Sequence, residues 1–387
     1  MDVPIPEILQ TPMEVDEMIM TGAGPSNYHP RIRHAMSLPV LGHLHPKTFK
    51  IMDDIKIGVN YLLQTNNSYT FCISGPGHAA IECAFVNLVE DNDIVVIGSS
   101  GYWGIRAEDI AKRLNADVKV INKELGEQIE LEETRIFFEQ YHPKVFFLTH
   151  GESSTGMLQQ NLEQFGNLCQ EFNCLFVVDC VITVGCTPVY VDKWNIDVAF
   201  MGTQKVLNAP PGISPITFSA RALDKIAKRK TPVKSYNLDA VNLGEYWNSG
   251  NRPRIYHHTV CSTLLYGLRE AIAIFIENGG LEASWKNHEN VAKHFYTLLE
   301  KNGLELFITD PKNRVPSVTA IKVPENIDAN EIIKHSMNEY NVEISGGIGP
   351  MLGVVLRVGL MGINCNEKVA ECVAKILIEA IKKMKEE

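Results

Sequence analysis

Between residues 71 and 219 the chain repeats one alternation: a short run apolar at nearly every position, then a helix-length amphipathic stretch. The apolar runs fall at 71–74, 94–98, 118–121, 145–149, 175–179, 198–202 and 216–219. Helical spacing appears between several of them, at 78–89, 105–114, 131–140 and 162–171. A strand with one wet face alternates apolar and polar residues, whereas one that is apolar throughout is covered on both faces. Strands of that kind separated by helices build a mainly parallel sheet between helical layers, an α/β domain. The spacing here predicts seven strands.

The texture differs on either side of that region. Residues 1–20 carry three prolines and weak periodicity, and read as an extended arm. A polar, irregular stretch at 228–258 leads into a long helical pattern at 259–278, ended by Gly279-Gly280. Beyond it the pattern predicts a helix (281–302), a strand (318–323), a helix (329–339), two strands (342–344 and 354–358) and a closing helix (367–383). The expected organisation is therefore an arm (1–20), a large domain (21–278) and a smaller α+β domain (279–387).

Charge and cysteine usage exclude several function classes. The net charge is −10 and basic residues form no sustained run, which disfavours nucleic acid and anionic membranes as partners. No apolar run approaches the roughly 20 residues of a membrane span. Nine cysteines without a C-x-x-C pair argue against a disulfide framework or a zinc site, and for a reducing compartment. Cys72, Cys174 and Cys180 read as small core residues. The N-terminus resembles neither a signal nor a transit peptide, and the terminal Lys-Glu-Glu is not a peroxisomal tag, so the cytoplasm is the expected compartment.

In open parallel sheets, ligands bind beyond the carboxyl ends of the strands. Several chemistry-bearing residues sit there. Lys205, in the segment 201–212, follows the apolar run 198–201; desolvation there favours a neutral, nucleophilic amine able to form a Schiff base. Asp179 ends Leu175-Phe176-Val177-Val178, where a carboxylate needs a partner or a cleft; helix capping or a structural salt bridge would serve equally. Ser74-Gly75-Pro76-Gly77-His78 opens a helix with free backbone N–H groups suited to a phosphate, although glycine turns before helices are common without one. Trp103, between glycines, offers an aromatic platform or simply packs in the core. The hydroxyl-rich turn 149–156 follows another strand. Arg357 interrupts the apolar strand 354–358 and needs a carboxylate, from the protein or from a substrate. His257 and His258 lack further ligands at metal spacing, so no metal is expected.

Taken together these segments resemble the class V aminotransferases of fold type I, in particular the alanine–glyoxylate / serine–pyruvate aminotransferase family, in an insect-like form. The resemblance rests on Gly24-Pro25-Ser26-Asn27, the 42–45 and 74–78 turns, Trp103-Gly104, 149–156, Val178-Asp179, 204–212, 253–259 and 346–357, in family order. It implies pyridoxal 5′-phosphate as cofactor, with Lys205 holding it as a Schiff base and shuttling protons, and Asp179 bonding the pyridine nitrogen. It further implies that Trp103 stacks on the ring, Val181 packs on the other face and Ser154 bonds the phenolic oxygen. Gly77, His78 and Gln204 would hold the phosphate, with Tyr256 and Thr259 reaching in from the partner of a homodimer. Arg357 would clamp the substrate carboxylate, and Gly24 would line the pocket for small amino acids and 2-oxo acids.

The implied activity is transfer of an amino group from alanine or serine to glyoxylate by ping-pong exchange. Two alternatives stay open: a kynurenine or 3-hydroxykynurenine transaminase, and a cofactor-binding protein with impaired catalysis. Pro76 motivates the latter, standing where the family commonly has Ser and so removing a hydroxyl donor to the phosphate. Ala23 and Asn248 replace the Pro and Cys often found near the pocket, which bears on substrate preference.

Overall fold

The computed structural model describes residues 3–251 and 253–386; the first two residues of the expected arm and the terminal Glu387 lie outside the described residues. The chain enters through an exposed segment that first pairs at β1 (Ile19–Met20), then forms α1 (Pro30–Met36) and α2 (Pro46–Leu63). Both helices start on a His-Pro pair. The imidazole Nδ1 of His29 accepts the Arg31 N–H at 3.2 Å, and that of His45 accepts the Lys47 N–H at 3.1 Å. The prolines occupy the first helical position, where no intrahelical partner exists for an N–H. The apolar-run pattern assigns nothing to this region.

The predicted alternation then follows: β2 (Tyr69–Ser74), α3 (Gly77–Leu88), β3 (Ile94–Ser99), α4 (Tyr102–Arg113), β4 (Asp117–Asn122), α5 (Leu131–Tyr141) and β5 (Val145–Thr149). A short hairpin, β6 (Gly151–Glu152) with β7 (Met157–Leu158), precedes α6 (Leu162–Glu171), β8 (Leu175–Asp179), β9 (Val198–Phe200) and β10 (Ile213–Phe218). Seven strands form one sheet in the order β2-β10-β9-β8-β5-β3-β4. It is parallel except for β10, which runs against both its neighbours. Every residue of β5, β8 and β10 is buried, as strands covered on both faces require. Phe146 stacks on Phe176 with centroids 5.5 Å apart, within a core that reaches from α1 to the start of the C-terminal region.

Around the site, boundaries shift from the sequence pattern for local reasons. The run 198–202 leaves the sheet after Phe200, because Met201 and Gly202 already belong to the turn that carries Lys205. The run 216–219 occupies 213–218; Ser219 instead caps α7 (Ala220–Ala227), its Oγ accepting the Ala222 N–H at 3.1 Å. Helix α4 begins at Tyr102, which puts Trp103 on the first helical turn.

After α7 come α8 (Ala240–Tyr246), inside the stretch read as irregular, and α9 (Ser262–Glu277), three residues later than the pattern predicts. Then follow α10 (Gly280–Lys301), β11 (Val318–Lys322), α11 (Ala329–Tyr340), β12 (Val342–Glu343), β13 (Ser345–Gly346), β14 (Val355–Gly359) and α12 (Glu367–Glu386). β14 lies between β11 and β13, and a second core fills the space between this sheet and helices α10 to α12. The entry segment ties into the same region: Ile19 pairs with Val342, and the Gly359 N–H reaches Thr21 O at 2.8 Å. Among the described residues, no helix is long and apolar enough to cross a membrane.

Candidate active site

Register places the strand ends together. Thr149 of β5 lies opposite Asp179 of β8, and Asp179 opposite Phe200 of β9, while β2 ends on the same edge at Ser74. The turn after β9 brings Lys205 back over this edge. Its Nζ donates to the carbonyl of Ala23 at 2.5 Å. Burial, reinforced by the positive charge of Arg357, pulls the Lys205 amine down to about 8, and Asp179 opposes that shift. Asp179 is 3% exposed. Burial raises its carboxyl to about 7, with the charge of Glu152 adding to the rise and the Val181 N–H (2.8 Å to Oδ1) and Lys205 opposing it. The outcome is an amine that gives up its proton more readily than an ordinary lysine, beside a carboxyl ready to pair with a buried cation.

Gly24 sets the floor against the lysine. It has φ +94°, and a Cβ there would lie 2.6 Å from Lys205 Cδ and 2.9 Å from Nζ. Only glycine combines that backbone conformation with that clearance.

Helix α3 opens on Pro76, whose side chain makes no cap bond. Among the described residues the N–H groups of Gly77 and His78 find no acceptor, and the buried Nε2 of His78 is also unpartnered. Val181 packs beside this turn: Cβ atoms added at Gly77 and Gly202 would lie 3.4 and 2.9 Å from its two methyl carbons. The same Cβ at Gly202 would meet Gln204 Oε1 at 3.2 Å, which locates that side chain near the turn. Ser74 Oγ bonds His258 Nε2 at 2.6 Å, and His258 Nδ1 meets His257 Nδ1 at 2.8 Å, so the two histidines make a polar chain.

Trp103 sits at the mouth, its ring centroid 5.1 Å from that of His78, with Nε1 donating to Ser153 Oγ at 2.7 Å. Ser154 Oγ donates to Glu152 Oε1 at 2.6 Å and accepts the Tyr102 N–H at 3.1 Å. Arg357 donates from Nε to Gly346 O (2.8 Å) and from Nη1 to Ser153 O (3.3 Å). Among the described residues no carboxylate makes an ion pair with it, and burial lowers its guanidinium from the ordinary value. A half-buried cation bonded to carbonyls alone is suited to receive a carboxylate.

Tyr256 and Thr259 lie apart from this group. Tyr256 is 53% exposed, its ring against His43 and Tyr246, and Thr259 is exposed on the irregular segment before α9. Asn248 takes φ 54° and its carbonyl accepts Lys56 Nζ at 2.9 Å. Two groups at the site escape the sequence reading: the Ala23 carbonyl, which no side-chain pattern reveals, and Glu152. The latter is fully buried three residues past the end of β5, where a carboxylate needs partners just as Asp179 does.

These groups fit a cofactor that brings an aldehyde, a basic ring nitrogen and a phosphate: a depressed amine, a buried carboxyl and unpartnered N–H groups at a helix start. The family profile for "Aminotransferase class-V" matches residues 33–371. The alanine–glyoxylate aminotransferase of Drosophila melanogaster is 46% identical over 100% of this chain and 98% of its own length. The rat enzyme of that name is 43% identical over 98% of this chain and 91% of its own. Among solved structures, an alanine–glyoxylate aminotransferase from Nostoc sp. superposes with a TM-score of 0.92 at 39% identity, covering 99% of this chain and 100% of that one. A ureidoglycine–glyoxylate aminotransferase from Bacillus subtilis gives 0.92 at 32% identity, covering 96% and 95%.

The chain belongs to the class V aminotransferases. It is an aminotransferase of fold type I, and its cofactor is pyridoxal phosphate.

Proposed function

We propose that this chain moves the amino group of alanine, or of serine, to glyoxylate. The observation that carries the reading is the convergence of Lys205, Asp179 and the carboxylate-free Arg357 on one strand-end cleft. When bound, pyridoxal phosphate supplies an aldehyde for an amine and an electron-accepting ring. Lys205 would hold it covalently through Nζ and, once an amino acid has taken its place, would serve at Nζ as the base for the proton on the substrate α-carbon. Asp179 keeps a cation at the ring nitrogen. Arg357 would orient the substrate through its carboxylate, and Gly24, which lies against Lys205, would line the substrate pocket beside it.

Trp103 and Val181 would hold the ring between them, with Ser154 serving its phenolic oxygen. The N–H groups of Gly77 and His78 and the Gln204 side chain take the phosphate. Tyr256 and Thr259, exposed in the single chain, complete the phosphate site of a second copy in a homodimer. The names of the relatives favour glyoxylate over a kynurenine-type substrate.

A donor-by-acceptor screen tests this. Alanine with glyoxylate should turn over faster than 3-hydroxykynurenine with the same acceptor, and the reverse order would end the substrate assignment. Lys205→Ala should lower turnover by roughly 10⁴-fold or more and lose the borohydride-fixed cofactor label. Retention of either would end the assignment of the lysine.

A further inference from the structure

Glu152 carries a fully buried carboxyl that no role above uses. It accepts three hydrogens: Trp103 N–H at Oε2 (3.0 Å), and Ser154 N–H (3.0 Å) and Ser154 Oγ–H (2.6 Å) at Oε1. Ser154 Oγ in turn accepts Tyr102 N–H. Helix α4 has Gly101 at its N-cap and so no local side chain to satisfy its first N–H groups. Two residues some 50 positions away do so instead. The fit is tight, since a Cβ at Gly101 would lie 2.3 Å from Glu152 Cγ.

We propose that Glu152 is a positioning residue of the cofactor site: an acceptor-only clamp that seats the Trp103 turn against the Ser153–Ser154 turn and sets the direction of the Ser154 hydroxyl. The proposal rests on the assignment of the cofactor ring to the cleft between Trp103 and Asp179.

The argument is one of hydrogen count. A carboxylate offers lone pairs on both oxygens and no hydrogen. An amide at the same place, whichever way it turns, points its NH₂ at either the Trp103 N–H or the Ser154 N–H. No uncharged isostere therefore satisfies all three donors. The single hydrogen of Ser154 Oγ goes to Glu152, and one of its lone pairs receives Tyr102 N–H, so the hydroxyl presents a remaining lone pair to the cleft. A ring hydroxyl held there would be the donor and Ser154 the acceptor, since the serine has no hydrogen left to offer. Burial raises the Glu152 carboxyl, while the Ser154 and Trp103 bonds and the charge of Arg357 oppose the rise; its own charge in turn raises Asp179. The clamp thus holds the backbone of the platform and acts through its charge on the carboxyl of the site.

The test uses the full chain with pyridoxal phosphate and the variants Glu152→Gln, Ser154→Ala and their double. Three readouts serve: melting temperature without cofactor, cofactor dissociation constant, and induced circular dichroism of the bound cofactor, which reports ring placement. Glu152→Gln should weaken cofactor binding about tenfold and change the induced signal, with far-ultraviolet spectrum retained. The double variant should bind no worse than Glu152→Gln alone, because both residues act through one clamp. Wild-type affinity and induced signal in Glu152→Gln, with only the melting temperature lowered, would overturn the proposal. So would additive losses in the double variant. A parent chain with no bound-cofactor signal would overturn the site assignment as well as the clamp.

Discussion

The floor of the site and its rim differ in kind. The floor, with Lys205, Asp179, Glu152 and Gly24, is held by strand register and burial, and each group has its partners within one chain. The rim, residues 253–261, is irregular, and its two implied ligand residues, Tyr256 and Thr259, are exposed. The floor's chemistry follows from desolvation, which shifts both titrating groups toward neutrality. Along the rim burial lowers the His258 imidazole to about 4, while Tyr256 and Thr259 stand exposed in the single chain. A site built this way separates reactivity, made inside the subunit, from cofactor retention, which we assign partly to assembly.

The contrast breaks most visibly at Asp179. Asp179→Asn should cost roughly 10²–10³-fold in turnover while leaving the backbone in place. It also has a signature without cofactor. A folded carboxyl at about 7 against an ordinary 3.8 means the native chain holds a proton there that the unfolded chain has released. That contribution is fully present below about pH 4 and is lost as pH rises through about 7. Melting temperature of the cofactor-free parent should carry this falling component between those limits, and Asp179→Asn should lack it.

At the rim the expected effect is smaller and of another type. Tyr256→Phe or Thr259→Val should weaken cofactor binding about ten- to a hundredfold, as for a lost bond to a charged group. The melting temperature of the cofactor-free chain should stay within about 1 °C, since both residues are exposed. A large stability loss would show that the rim is part of the folded core after all. The smallest effect is expected at Pro76. Pro76→Ser supplies both a helix cap and a hydroxyl donor, and should tighten cofactor binding about five- to tenfold by equilibrium titration. No gain would mean that the backbone N–H groups of Gly77 and His78 already suffice.

The same division governs how much could be read from the sequence. The seven strands were legible because burial on both faces leaves an all-apolar run, and Asp179 and Lys205 stood out as charges ending such runs. Glu152 ends no such run: it follows Thr149-His150-Gly151, inside a turn whose glycines and hydroxyls read as polar loop. Helices α1 and α2 were missed although Met52, Ile55, Val59 and Leu62 keep helical spacing and each start is marked by His-Pro. An imidazole is an uncommon cap, and no apolar strand frames them. The register that gathers Thr149, Asp179 and Phe200 is a tertiary fact with no local signal. That Tyr256 and Thr259 serve a partner's site is implied by the resemblance alone, and no pattern within one chain signals it.

The reversed strand β10 bears on how the chain reaches this state. β2 is complete by Ser74, but Ser74 pairs with Ile213, 213 − 74 = 139 residues later. At a synthesis rate of about 5–20 residues per second, β2 waits on the order of ten seconds for its partner strand to be made. Through that interval the nascent chain carries an apolar, unpaired edge that invites intermolecular pairing. β10 is also the strand that follows the Lys205 turn, so the event that closes the hazardous edge is the one that delivers the lysine to the cleft.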